Sequence, residues 1–312
     1  MRTTIHCLAL LLVTPSLAQY NTENLRISAT AAMSRQPVLE RLALYPVMAN
    51  GTFLAAHASV EKTTPMKSAI ADKKLRITEQ EHGAQVNKLI AENTSKETLY
   101  LMQGEVVAGG KQDRVLAQDL LLAPGQRMEV AAYCVEQGRW ESGAERREFS
   151  KTTGVGAQKI RSAVANKKEQ QAVWQDVAGY LDAKSVNAPT GTFNALQEDK
   201  EFQQDMARYR RHFDGLYQDH PQVVGVVAVS GDQVIGCDIF ATHALFRDAY
   251  DGLLTAYITE AITRGAPVKA GHQEAQSFLD DLLGDERRLE DRMRTRGSLF
   301  RDKDRTLRVS WF

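Results

Sequence analysis

Hydrophobic and polar positions change their rhythm along the chain, and the rhythm divides it into blocks. Residues 5–13 are a continuous apolar run behind the basic start Met1-Arg2-Thr3-Thr4, broken only by His6. From 24 to 140 the apolar positions come in short bursts. Those at 25–30, 42–47 and 52–60 read as strands. Thr64 followed by Pro65 reads as a cap and first turn, which predicts a short helix over 65–73. Strands are then expected at 75–78, 88–92, 98–107, 114–122 and 128–135. Asn93-Thr94-Ser95-Lys96, Gly109-Gly110 and Ala123-Pro124-Gly125-Gln126 separate them. Strands at that spacing predict an antiparallel sandwich or a barrel-like sheet.

The period then lengthens. Residues 150–219 read as helical, with helices over 158–165 and 168–183. Phe202, Met206, Tyr209, Phe213 and Leu216 make one apolar stripe at helical spacing. Two β-rich runs, 223–230 and 233–240, flank Gly231-Asp232 as a hairpin would require. A helix capped by Thr242 follows, with a wide apolar face from Leu245 to Ile258, so 223–263 reads as hairpin and helix. The block 272–312 should hold a helix over 272–294 and a strand pair near 298–300 and 307–309. Strands bracket the helices, so the expected fold class is α+β: an antiparallel β-sandwich or barrel-like sheet in the N-terminal half, helices plus a β-hairpin in the C-terminal half. The organisation is one unit over 19–312, or two lobes sharing a sheet, rather than two independent domains.

The opening run changes the expected location. A basic start, a nine-residue apolar core and small residues at Ser16 and Ala18 form the pattern of a cleavable secretory signal over residues 1–18. Nine residues fall short of a membrane span. Cys7 lies inside the run rather than at the cut, so no lipid anchor is expected. The chain is expected to be exported to the periplasm or the extracellular space as a soluble protein, with no membrane span after cleavage. Among 39 basic and 39 acidic side chains only Arg2 would be lost, leaving a net charge of −1. That balance carries no electrostatic footprint for nucleic acid. Cys134 and Cys237 remain, and an oxidising compartment would permit a disulfide between them. The alternative is two buried thiols.

Known catalytic patterns are missing. There is no Gly-x-Ser-x-Gly elbow. Gly154-Val155-Gly156-Ala157-Gln158-Lys159 lacks the spacing and hydroxyl of a phosphate loop. His57, His82, His212, His220, His243 and His272 never fall at metal-ligand spacing, so neither a metal nor a cofactor is expected. Two segments do concentrate chemistry beside strands. Gly104-Glu105-Val106-Val107-Ala108-Gly109-Gly110-Lys111-Gln112-Asp113-Arg114 carries glycines that give the backbone room at a strand end. Cys134-Val135-Glu136-Gln137-Gly138-Arg139-Trp140 places a thiol, a carboxylate, a guanidinium and an indole within seven residues.

These segments, with 75–79 before them and the late hairpin from Gly225-Val226-Val227 to Asp238-Ile239-Phe240, resemble the ARG and rhodanese-phosphatase-superfamily-associated protein domain. The heptapeptide ending in Trp140 is the most specific piece of the resemblance. The family usually carries Lys-Gln-Asn-Arg where this chain has Lys111-Gln112-Asp113-Arg114, and the added carboxylate would alter any anion preference. The resemblance brings no established reaction. Its name points by association to nucleotide-derivative systems.

Two functions follow as expectations. The first is a non-catalytic binding module for an unknown small anionic molecule, nucleotide-derived if the family association holds, or for an envelope component. Glu105, Lys111, Gln112, Arg114, Glu136, Arg139, Trp140 and Asp238 are its candidate residues. Arg139 would act as a bidentate clamp and Trp140 as a stacking wall. Set beside it is a structural network in which Glu105 and Glu136 pair with Lys111 and Arg139. The second function is a hydrolase or transferase, with Cys134 as nucleophile and Glu136 or a histidine as base, or with Glu105 and Glu136 as an acid–base pair. Asp238 and His243 mark the hairpin–helix junction, where Asp238 has a turn cap as its simpler role. Arg210-Arg211-His212 reads as a solvated face.

Overall fold

The computed structural model describes residues 19–28, 35–80, 87–139 and 148–312. The export signal over 1–18, His82 and Trp140 lie outside the described residues. The chain begins with β1 (Leu25–Ile27), β2 (Val38–Leu39) and β3 (Leu42–Ala49). Next comes α1 (Gly51–Ala56), where a strand was expected. Asn50 caps it by accepting from the Phe53 amide at 3.0 Å, and only Phe53 turns fully inward. β4 (Thr64–Pro65) and α2 (Met66–Ala71) follow. Pro65 enters the helix in extended conformation without a side-chain cap, and Thr64 instead donates to Glu97.

The next stretch winds a barrel. β5 (Leu75–Glu79), β6 (Lys88–Asn93), β7 (Leu99–Leu101), β8 (Glu105–Gly109), β9 (Arg114–Leu116), β10 (Leu120–Leu122), β11 (Arg127–Cys134) and β12 (Glu148–Val155) run in sequence. Six of them close in the order β11-β6-β5-β12-β8-β9, and β10, β7 and β4 form a small separate sheet. The barrel-like expectation is met, with two corrections. The runs 98–107 and 114–122 each break into two strands, because the chain turns at 102–104 and 117–119 to pass between barrel and small sheet. β12 occupies the start of the block read as helical. Of its eight residues only Phe149 and Val155 are buried, so it shows no alternation to read. Leu75, Ile77, Leu89, Ala91, Val107, Val130 and Phe149 fill the barrel interior.

Helices follow: α3 (Gln158–Ser162), a π-helical turn over Ala163–Lys167, α4 (Gln170–Ala183), α5 (Ala195–Glu198) and α6 (Lys200–Phe213). The hairpin β13 (Val223–Ser230) and β14 (Gln233–Phe240) leads into α7 (His243–Arg264), with Thr242 accepting from the Leu245 amide at 3.2 Å as expected. α8 (His272–Leu283) and α9 (Glu286–Arg296) replace the single expected helix. Asp285 caps α9 afresh by accepting from the Arg288 amide at 3.0 Å. β15 (Gly297–Asp302) and β16 (Arg305–Trp311) complete the order.

The hairpin is the middle of a seven-stranded antiparallel sheet, β1-β3-β13-β14-β16-β15, with β2 beside β3. One face packs on α7 and the helices before it. Ala43, Tyr45, Val47, Val227 and Ile239 face the other way, onto Leu279, Leu282 and Met293 of α8 and α9. Both faces are covered, which is why β13 is buried along its whole length. Among the described residues no helix is long and apolar enough to cross a membrane.

Candidate functional site

The two chemistry-rich segments meet at the far end of β8, as their side chains require. Gly109 and Gly110 have φ of 128° and 55°. A Cβ at Gly110 would lie 2.5 Å from the Phe149 ring and 3.0 Å from a Glu79 carboxylate oxygen. Glycine is therefore needed for the loop to close over the barrel end. The loop then knits to the second segment. Arg139 donates from Nε to Glu136 at 2.9 Å, from one terminal nitrogen to the Gly110 carbonyl at 3.2 Å and from the other to Asp113 at 3.0 Å. Asp113 also accepts from the Gly109 amide, Thr192 and Asn194. Arg114 donates to Glu79 at 3.2 Å, the Lys111 amide donates to the same carboxylate, and Gln112 donates to the Gln137 carbonyl.

Gln112, Asp113, Arg114 and Glu136 are all buried. Each guanidinium of this cluster is matched by a carboxylate, so the geometry is that of a strut between the barrel and the loop before α5. The pairing Glu136–Arg139 follows the structural alternative, but Glu105 takes no part. It stands at the other end of β8, about 13 Å away at strand spacing. Glu105 and Glu136 therefore do not form a pair. Asp113 is the hub of the network.

Cys134 is buried, and its backbone is clamped by the Gln170 amide through bonds of 2.9 and 2.8 Å. Burial pushes its thiol up to about 11, although nearby Arg114 pulls the other way. A thiol in that state is a weak nucleophile at neutral pH. Cys237 is likewise buried, and no disulfide joins the two cysteines, which therefore follow the alternative of two buried thiols.

Asp238 lies at the centre of a second buried network. It accepts from both Arg161 and Arg308, each at 2.7 Å at the closest, and from Ser310 and Tyr257. Arg308 also reaches Asp119 at 2.8 Å, and Asp119 accepts from Tyr100. Burial raises the Asp238 carboxyl, but the two arginines outweigh it and hold it well below the usual range. This is a neutral set of two arginines and two aspartates joining α3, the seven-stranded sheet and the loop between β9 and β10, rather than a turn cap. Arg161, Arg308 and Asp119 carry no local signal in the sequence. His243, across the junction, joins its ring nitrogens to the Val223 and Gln218 carbonyls.

Of the residues singled out in the sequence, Glu105 borders open space. A cleft of about 580 Å³ is lined by it, by α2, by Thr152–Gly154 of β12 and by α6 and α7. The turn before β8 aims the Glu105 carboxylate at the Met102 amide, which donates at 2.8 Å. Gly104 permits that turn with φ of 89°, where a Cβ would press on Arg161 and Val155. Burial raises the Glu105 carboxyl to about 8, against the Met102 bond and the Arg308 charge. Opposite, Asp251 accepts from Lys67 at 2.7 Å and Arg210 at 2.7 Å. Burial raises Asp251, and those two donors more than reverse it, so its carboxyl sits below the ordinary range. Arg210 thus belongs to the cleft rather than to a solvated face. Positions 67, 105, 210 and 251 are too far apart in sequence for any spacing to have joined them.

The chain matches the ARG and Rhodanese-Phosphatase-superfamily-associated Protein domain over residues 30–310. It therefore belongs to this family, and the match spans barrel, helices and sheet together. No curated protein matches the chain. No solved structure matches it either.

Proposed function

We propose that the protein is a binding module for a small, acceptor-rich polar molecule held in the Glu105 cleft. The observation that carries this reading is the placement of Glu105, whose carboxyl, pushed up to about 8 by burial, borders a cleft of about 580 Å³. A neutral carboxyl donates one hydrogen bond and leaves an acceptor oxygen, so it reads a hydroxyl or carbonyl without charge repulsion. Ser68, Thr152, Thr153, Thr255 and Gln197 add hydroxyl and amide groups to the lining. Its charged side chains, Lys67 and Arg210 against Asp248 and Asp251, balance only while Glu105 is neutral. The size suits a small ligand, which needs roughly 300–1,000 Å³.

The test is titration calorimetry on a hit from a screen of monosaccharides, polyols and small phosphates. Affinity should fall at least tenfold from pH 6.5 to 9.5 and become flat with pH in Glu105→Gln. A hit whose affinity ignores both pH and the substitution would overturn the reading.

A second reading rests on the contrast between Glu105 and Asp251. One carboxyl held protonated and one held ionised across a cleft is the division of labour of an acid–base pair. Hydrolysis of a glycosidic or ester bond would follow, with Glu105 protonating the leaving oxygen and Asp251 accepting a proton from water. Turnover of the hit ligand, abolished in Glu105→Gln, would favour hydrolysis over simple binding.

A further inference from the structure

A second groove borders Asp119 of the ion cluster. Its volume is about 430 Å³, and it runs between β11 of the barrel, the π-helical turn and the α9–β15 junction. Two cations line it, Lys168 and Arg294. Lys168 has no carboxylate partner among the described residues. Arg294 reaches Asp291 at 3.5 Å, with both side chains about three-quarters exposed (74% and 73%). Such a pair contributes little and leaves the guanidinium available. The acidic residue in the lining, Asp119, is already engaged by Arg308 and Tyr100. The groove therefore presents uncompensated positive charge.

Its geometry is preset. The π-helical turn widens the helix by one residue and delivers Lys168 at φ of 55°, a left-handed conformation that costs energy without glycine. Asn166 in that turn donates to the Arg294 carbonyl at 3.3 Å and the Gly297 carbonyl at 3.0 Å. The same side chain thus locks the segment carrying Lys168 to the segment carrying Arg294. π-helical turns of this kind recur at functional sites. The same lining carries apolar and aromatic side chains, among them Val164, Leu299, Tyr133 and Phe300. Phe300 is stacked on Tyr100 at 5.9 Å, which fixes its ring plane. Ser298 adds a buried hydroxyl without a hydrogen-bond partner among the described residues.

We infer that this groove binds an organic anion, a phosphate or carboxylate carried on a flat ring, of about mononucleotide size. The Lys168 and Arg294 side chains take the anionic group, the Ser298 hydroxyl donates to one of its oxygens, and Tyr133 and Phe300 pack the ring. This site is independent of the Glu105 cleft.

Titration calorimetry with 1-naphthyl phosphate, adenosine monophosphate, benzoate and inorganic phosphate tests it on the protein and on Lys168→Gln/Arg294→Gln. Both substituted side chains are exposed, so the variant should fold, as circular dichroism would verify. The ring-bearing anions should bind more tightly than inorganic phosphate and lose at least tenfold in affinity in the variant. Glu105→Gln should bind them unchanged. Absence of binding by the parent protein at millimolar probe, or equal binding by parent and variant, would overturn the inference. So would inorganic phosphate binding as tightly as the ring-bearing probes.

Discussion

Glu105 and Cys134 both begin as candidates for chemistry, and burial moves both toward their protonated forms with opposite consequences. For Cys134 it removes the reactive species. With the thiol near 11, roughly one part in a thousand would be thiolate at pH 8. Native protein treated with iodoacetamide should therefore leave Cys134 unlabelled, while urea-unfolded protein should take up label, as peptide mass mapping would check. For Glu105 burial creates a donor at the cleft. In the unfolded chain this carboxyl ionises near 4.5, and in the fold it keeps its proton to about 8. The native state thus holds one extra proton between those values. Its contribution to stability is fullest below about pH 4.5 and is lost as pH rises to about 8. Glu105→Gln should erase that decline, so denaturation midpoints of parent and variant should draw apart in the variant's favour from pH 5 to 8.5.

At the level of elements, sequence pattern revealed more where one face alone is buried. The stripe on α6, the cap of α7 and the Gly231 turn between β13 and β14 were readable, because periodicity and turn chemistry are local. β12 was not readable, since its two buried residues sit at its ends. The breaks within 98–107 and 114–122 are marked only by Gln103-Gly104-Glu105 and Gln118-Asp119, too short an interruption to show that the apolar residues on either side serve two different sheets. The candidate site was readable in parts. The loop from Gly109 to Arg114 and the segment to Arg139 do converge, and Gly109 and Gly110 are needed as expected. The sequence did not show that the charges would cancel one another there. Partners such as Glu79, Thr192 and Asn194 come from distant elements. The strut makes its own prediction. Arg139→Ala leaves Glu136 and Asp113, both buried, without their cation and should cost about 2 kcal/mol or more in urea unfolding. Arg139→Lys should recover little of this, since an ammonium lacks the fork that reaches three acceptors at once.

For the whole molecule the governing feature is the network of Asp238, Arg161, Arg308 and Asp119. It draws on α3, β14, β16 and the loop between β9 and β10, so ion pairs join barrel and sheet beside the apolar cluster that Val106, Val115 and Tyr133 share with Leu44, Val226 and Phe240. Separating them would expose charges matched only to each other. Barrel and sheet should therefore unfold in one calorimetric transition. Removing one partner is costly: Asp238→Ala should lose about 3–5 kcal/mol, because two arginines would remain buried without it. Acid should weaken the same network. Asp238 ionises in the fold well below its ordinary 3.8, so its contribution is present above that value and disappears as pH falls further.

The order of synthesis gives this network one more consequence. Arg308 lies 70 residues beyond Asp238 and 189 beyond Asp119. A growing chain makes both acids, the barrel and most of the sheet long before it makes their shared cation. Until β16 arrives, the seam between barrel and sheet holds carboxylates lacking part of their charge balance, which should weaken the docking of the two halves. Translation stalled before Arg305 should leave a protease-sensitive intermediate, and release of the next few residues should let the protein close.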